Sequence, residues 1–406
     1  MKNCNDLCGE GEEAQFDIKK PNWNSDRSWG RTLFLSIYPF VVLPMAIFSV
    51  YRWGFSFIDF IIFFVMFIFT GLSITAGYHR YFSHRTYDCH PIVKGFYLLF
   101  GAAAFESSVI GWCSDHRYHH RFVDKPSDPY NINQGFFYAH MGWMFRSEPK
   151  GRSFENVPDL TADRWVAWQE KYYWAIFFTV GLVFPMSIGI FFERAIPALI
   201  FGGFVRILCV HHATWLINSA AHYFGSRPYS GAVTARDAWF LSFFTFGEGY
   251  HNFHHVFASD YRNGVQWYAW DPTKWLIWVL EKTGLAFHLK RVPGPTIFQV
   301  KIKRQFEISQ EKIANLSLNF DSRFHWMSES LSEMKTRVES ASREWRELRK
   351  KYESWKSEFN DQMILNQKQW KLERQRWKAN IRQSRAEFYR EWKRFQMMNR
   401  FVRNYA

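Results

Sequence analysis

Four long apolar stretches, arranged as two close pairs, constrain this 406-residue chain more than any other feature. Residues 33–50 (LFLSIYPFVVLPMAIFSV) and 55–76 make the first pair, joined by the short turn Tyr51–Gly54. Residues 174–192 and 195–221 make the second, parted only by Glu193 and Arg194. Each stretch approaches the roughly 20 residues a helix needs to cross a ~30 Å hydrocarbon core. Lipid offers no hydrogen-bond partners to the backbone, so such segments must be helical, and the alternation of a barrel strand is absent. The expected fold is an all-α membrane protein with four transmembrane helices.

Two hairpins return the chain to the side on which it started. The N-terminus, residues 77–173 and everything after Ala221 therefore share one face. The far-side turns carry only Arg52 and Arg194, whereas the near side holds Lys19, Lys20, Arg80, Arg85, Arg117, Arg121 and Lys125. By the positive-inside rule the near side, with both termini, is cytoplasmic. The stretch Pro91 to Val109 is also apolar, but Lys94 and Glu106 interrupt it. It reads as a re-entrant or interfacial helix rather than a fifth span. Residues 1–30 form a polar N-terminal arm without the apolar core of a signal peptide. Cys4 and Cys8 in that arm read as free thiols. With Cys89, Cys113 and Cys209 they make no disulfide framework, which suits a reducing compartment or a membrane interior.

A mean hydropathy of −0.29 averages two unlike parts. Residues 301–406 hold 25 Lys/Arg against 14 Asp/Glu, so they carry +11 of the formal +14, and they contain neither Gly nor Pro. Apolar residues recur there at Phe324, Met327, Leu331, Met334, Val338, Ala341, Trp345, Leu348, Tyr352, Trp355 and Phe359. That three-four alternation predicts a long C-terminal amphipathic helix of coiled-coil type within a tail at 296–406. Such a tail would self-associate through residues 301–406, bind a helical partner, or lie on anionic lipid. Interleaved acidic residues argue against a nucleic-acid arm.

The chemistry rests on the placement of 15 His. HRYFSH places His79 and His84 just past the second span. HRYHH gives His116, His119 and His120, and HNFHH gives His251, His254 and His255. On a helix, positions i, i+3 and i+4 share a face, so each triplet can present three imidazoles to one point. His79 and His84, five apart, do not share a face on a regular α-helix. His222 closes the fourth span in WLINSAAH. All lie at the cytoplasmic ends of apolar spans, as a His-rich helical cap. Imidazole suits Zn, Cu, Fe and Ni. Eight or nine of them exceed one ion's ordinary coordination number, so two metals are implied. An all-imidazole pair of metals beside lipid suits oxygen chemistry on a greasy substrate better than zinc hydrolysis.

HRYFSH, HRYHHRFVDKPSDPY, WLINSAAH and GEGYHNFHH closely resemble the motifs of the integral-membrane fatty-acid desaturases, and among them the stearoyl-CoA (delta-9) type. The resemblance covers about residues 31–295. It implies a non-haem di-iron centre with nine His ligands: His79, His84, His116, His119, His120, His222, His251, His254 and His255. It further implies that Asn218, one helical turn before His222, acts through water. It implies a bent acyl tunnel touched by Trp112, Thr214 and Trp215, and a role for Asp115 in orienting a ligand or contacting the headgroup. Two departures bear on whether the acyl chain arrives on CoA, a lipid or a carrier protein. Ser114 stands where the animal acyl-CoA enzymes have Arg, and Glu106 replaces a neutral polar residue lining the tunnel; a carboxyl in an apolar run is a functional flag.

The expected reaction is O2-dependent introduction of a cis double bond into a saturated acyl chain, because side-chain acids and bases cannot break an unactivated C–H bond. No HPGG-like haem segment is present, so electrons would come from an external b-type cytochrome or ferredoxin with its reductase, steered by Arg117, Arg121 and Lys125. The missing fused cytochrome and retention signal lean toward a bacterial inner membrane over the endoplasmic reticulum. Two alternatives compete: a membrane di-iron hydroxylase, and a non-catalytic scaffold that recruits partners through its tail. His140 matches a recurring family position, and His211 and His212 read as hydrogen-bonding groups rather than ligands.

Overall fold

The computed structural model describes residues 27–146, 154–319, 325–360 and 367–405. The polar arm, with Cys4 and Cys8, lies outside the described residues except for its last four positions, as does Phe324 of the tail pattern. The chain divides into two compact units, Met1–Arg227 with Ala232–Arg291, and Pro228–Gly231 with Val292–Ala406.

Four helices of the first unit are long and apolar enough to cross a membrane: α1 (Trp29–Trp53), α2 (Phe57–Ser83), a third at Arg164–Ile190 and a fourth at Ala195–Tyr223. Their outer faces show what surrounds them. Phe40 is 80% and Phe191 85% exposed, which only an apolar solvent makes favourable. The turns at one end are clamped together: Gly54 reverses the chain at φ +66°, and Arg194 reaches across to Asp59 at 2.6 Å and to the carbonyls of Trp53 and Gly54. Arg194 thus acts structurally, closing one hairpin onto the other.

Between the two hairpins, His90 caps α3 (Pro91–Ala103), its Nδ1 accepting from Ile92 N–H, with Pro91 supplying the first helical φ. Thirteen residues span only about 20 Å, too few to cross. The chain then turns through Phe105 and Ser107, both at positive φ, and enters α4 (Val109–Phe122) behind the Ser108 cap. The end of α3 is bound by Arg206, fully buried in the fourth span, which donates to the carbonyls of Ala103, Gly181 (2.8 Å) and Gly202 (3.1 Å). A guanidinium that satisfies three carbonyls in an apolar setting explains why the fourth span tolerates it.

Apart from single-turn helices, we number the further helices of this unit α5 (Phe136–His140), α6 (Arg164–Ile190), α7 (Ala195–Tyr223), α8 (His251–Val256) and α9 (Pro272–Lys282). Two short strands, Asp88–Cys89 and Ala286–Phe287, pair antiparallel and tie the end of α2 to the chain beyond α9. The architecture is all-α with four membrane-crossing helices.

The second unit is helical, but in three pieces rather than one: α10 (Gly294–Asn319), α11 (His325–Asn360) and α12 (Gln367–Tyr405). Ring contacts pair Trp326 with Phe401, Trp345 with Phe388 and Tyr352 with Trp377, so α11 and α12 run antiparallel. Ile302, Ile313, Met327, Leu331, Val338, Phe388, Phe395 and Val402 form the shared core. The heptad stripe of α11 is therefore satisfied within the chain. The sequence pattern marked this face and offered self-association, a helical partner or lipid to cover it; a fold of the tail onto itself was not among those readings, since residues 301–406 carry no Gly or Pro to signal a turn.

Candidate metal centre

The geometry of the first histidine pair comes from the winding of α2. Its last eleven residues, Ser73–Ser83, are π-wound, and His84 N–H donates to the His79 carbonyl five residues back. Wider winding brings positions i and i+5 onto one side, so His79 and His84 face each other at 4.9 Å between ring centroids. The α-helices α4 and α8 present their triplets by ordinary i, i+3, i+4 spacing. His222 arrives from the last turn of α7, beyond a break at Ser219.

The nine imidazoles separate into two groups. His79, His84, His116, His120 and His254 form one; His119, His222, His251 and His255 form the other, with nitrogens inside each group within 4.8 Å of one another. Neighbouring Nε2 atoms stand 2.8–3.2 Å apart, as in His84–His116, His79–His254, His120–His254, His251–His222, His251–His255 and His119–His255. His120 and His255 stack at 4.4 Å where the groups meet.

Several outward nitrogens have partners of their own. His119 Nδ1 lies 2.9 Å from Asp128 Oδ1, and His222 Nδ1 lies 2.7 Å from Thr234 Oγ1, which donates to Asp124 Oδ1. His79 Nδ1 is 3.0 Å from Glu248 Oε2, a charge contact poorly aligned for a hydrogen bond. Such partners hold the proton on Nδ1 and turn the Nε2 lone pairs inward. Burial, then the neighbouring imidazoles, hold His84, His116, His120, His251, His254 and His255 well below the usual histidine range, so they are neutral at pH 7. Inward lone pairs ~3 Å apart repel one another, and metal–nitrogen bonds of about 2.0–2.1 Å would place ligands at just this separation. The donor set fits two cations.

A cavity of about 390 Å³ opens against this cluster. His79, His116, His119 and His251 line it, together with Asn218 and all five expected substrate-contacting residues: Glu106, Trp112, Asp115, Thr214 and Trp215. Phe34, Leu35, Ile74, Phe105 and Met144 make most of the remaining wall apolar. Arg31, Asp115 and Glu248 also reach the wall, and Glu106 stands among its apolar residues. Its Oε1 accepts from Thr214 Oγ1 (2.7 Å) and its Oε2 from Trp112 Nε1 (3.2 Å), and burial pushes its pKa up to about 8 despite those bonds.

Other expectations meet a different environment. Ser114 is fully buried and donates to Asn156 Oδ1, so it presents nothing to a headgroup. Arg117 is held internally by Asp159 and by the carbonyls of Phe82, Ser83 and Asn156. Arg121 and Lys125 remain exposed. His140 joins His212 (3.0 Å) and Ser219 (2.9 Å), and His211 bonds the Phe105 carbonyl, so all three stay outside the metal groups.

Sequence reasoning missed the support beneath the cluster. Arg80 is fully buried between Glu248 and Asp271, at 2.9 and 3.0 Å. Burial raises the Glu248 pKa, but His79 and Arg80 outweigh it and hold the carboxyl below its ordinary range. The signal was present: Glu248 sits inside GEGYHNFHH and Asp128 inside HRYHHRFVDKPSDPY, both acids within the histidine-bearing motifs.

Four membrane-crossing helices, two convergent imidazole groups and a largely apolar cavity define a class of membrane proteins whose histidines could hold metal ions. The comparisons narrow the class. The fatty acid desaturase family model matches residues 53–291, and the chain belongs to that family. It is 41% identical over 249 residues to acyl-CoA desaturase 1 of Saccharomyces cerevisiae, covering 61% of this chain and 49% of that protein. It is 35% identical over 255 residues to the delta(9)-fatty-acid desaturase fat-7 of Caenorhabditis elegans, covering 61% of this chain and 75% of the other. With the stearoyl-CoA desaturase of Sus scrofa it shares 32% identity over 302 residues, covering 71% of this chain and 81% of the other. The chain spans about half the length of the S. cerevisiae relative.

Proposed function

We propose that this protein is an O2-dependent fatty-acyl desaturase, of delta-9 type, that makes a cis double bond in a saturated acyl chain. One observation carries the reading: nine imidazoles gather in two groups, and four of them, His79, His116, His119 and His251, line a largely apolar cavity beside four membrane-crossing helices. The names of the relatives supply the acyl substrate class. Two non-haem irons would fit the donor set, held by the five-histidine and the four-histidine groups, and Asn218 on the cavity wall would act through water. When bound, they supply the oxygen chemistry that removes two hydrogens from adjacent methylenes. One O2, two electrons and two protons are consumed with those hydrogens, and two waters form.

The chain's own residues position and exclude. Trp112, Thr214 and Trp215 shape the cavity beside the histidines, and Asp115 lies on the wall nearest the second histidine box. The apolar wall keeps bulk water from the reacting methylenes. Electrons must enter from an external cytochrome or ferredoxin, and exposed Arg121 and Lys125 offer an acidic donor its landing charge. The positive-inside bias supports a cytoplasmic site. The eukaryotic relatives favour a eukaryotic membrane over the bacterial one toward which the sequence leaned.

Expression in a desaturase-deficient host, followed by lipid analysis, tests the reading. A new monounsaturated acyl chain, with about two irons per purified chain, is expected. A hydroxylated product without alkene would assign the centre to a hydroxylase. Protein with negligible metal and no product would make it a scaffold.

A further inference from the structure

The positive charge of the tail is concentrated on one helix and on one side of it. Helix α12 carries twelve Lys/Arg against three Glu, while α11 is nearly balanced at eight against seven. The buried side of α12 is set by Ser384, Phe388, Phe395, Asn399 and Val402. At 100° per residue, Lys371, Lys378, Arg382, Arg385, Lys393 and Arg400 fall within an arc of about 80° on one flank of that buried side. All six are exposed. Glu373, Glu387 and Glu391 fall on the other flank. The outcome is a basic stripe without an interposed acid, about 44 Å long at 1.5 Å per residue.

From this charge separation we propose that α12 docks through the stripe onto anionic lipid headgroups of the membrane the protein spans. Three observations favour lipid over other polyanions. No described helix after α7 is long and apolar enough to cross a membrane, so the described tail offers the bilayer a charged surface and no span. The tail follows directly on Arg291, so its local concentration at the bilayer surface is set by the chain itself. Leu372 and Met397, exposed at 52% and 56%, border the stripe and can enter the headgroup layer while the cations pair with phosphate or carboxylate. The interaction does not depend on the catalytic reading; it asks only for a membrane-inserted chain.

The test uses the full-length protein in nanodiscs of phosphatidylcholine, with or without phosphatidylserine. Surface lysines are acetylated and the rate at each is followed by peptide mass spectrometry. Lys371, Lys378 and Lys393 are expected to react about tenfold more slowly in the anionic discs, since each basic contact adds to binding. Lys350 and Lys351 on α11, also exposed, serve as internal references. At about 1 M salt, where the Debye length shrinks to about 3 Å, the protection should vanish. Combining Lys378→Gln, Arg382→Gln, Arg385→Gln and Lys393→Gln should restore full reactivity at Lys371 without disturbing the buried side of the helix.

Equal rates in both discs would overturn the proposal. So would protection that grows with protein concentration in neutral discs, which means self-association. Protection by single-stranded RNA, with none from anionic lipid, would overturn it in favour of a nucleic acid.

Discussion

At the scale of single residues, the histidines do not act alone; carboxylates behind them decide what they can bind. Asp128 holds the Nδ1 proton of His119, a buried arrangement that aims Nε2 at its group. Asp128→Asn should weaken metal binding by about 10–100-fold, the usual cost of losing such a partner. Competition with a chelator would measure it, and unchanged affinity would show that packing alone orients His119. Glu106 governs the cavity instead. Its pKa of about 8, against an ordinary 4.5, means that the folded protein carries a proton there at neutral pH. A raised carboxyl pKa contributes stability in full below about 4.5 and loses it as pH rises through about 8. Above pH 8 a charge faces the cavity, so KM for the acyl substrate proposed above should climb. Glu106→Gln should flatten that climb and raise Tm at pH 8 while matching the parent below pH 4.5. Parallel KM profiles in both proteins would remove Glu106 from the cavity's chemistry.

At the scale of elements, the decisive feature is the π-wound end of α2, because it alone lets His79 and His84 face one site. Two close approaches hold it against α3. A Cβ on Gly101 would lie 2.2 Å from the Tyr78 ring, and one on Gly77 would lie 2.7 Å from Tyr97. Tyr78 is fully buried and bonded to Gln169, so it has nowhere to move. Gly101→Ala should therefore cost at least about 1–3 kcal/mol and displace His79, the next residue along. Reduced metal content and a lower Tm in detergent are expected; a variant with full metal occupancy would show that the α2 end adapts. Arg206 illustrates what hydropathy does not reveal. The sequence reading passed over this buried cation in an apolar span, yet it bonds carbonyls from α3, α6 and α7 itself.

At the scale of the whole molecule, each of the two units has its own hydrophobic core, and the histidine cluster lies wholly in the first. Truncation after Arg291 should leave metal content unchanged, as measured by elemental analysis of the purified membrane unit. Loss of metal would make the tail part of the catalytic fold. The sequence by itself determined the four spans, their pairing into hairpins and the nine histidines, because burial in lipid and helical periodicity are local properties written in consecutive residues. It also marked the inner face of α11. Tertiary structure alone decided that α2 ends in a π-helix, that Arg117 and Ser114 are consumed by packing, that Arg80 and Glu248 underlie His79, and that the tail folds back on itself. Those outcomes depend on which distant groups meet and satisfy one another's hydrogen bonds and charges, and no window of neighbouring residues carries that information.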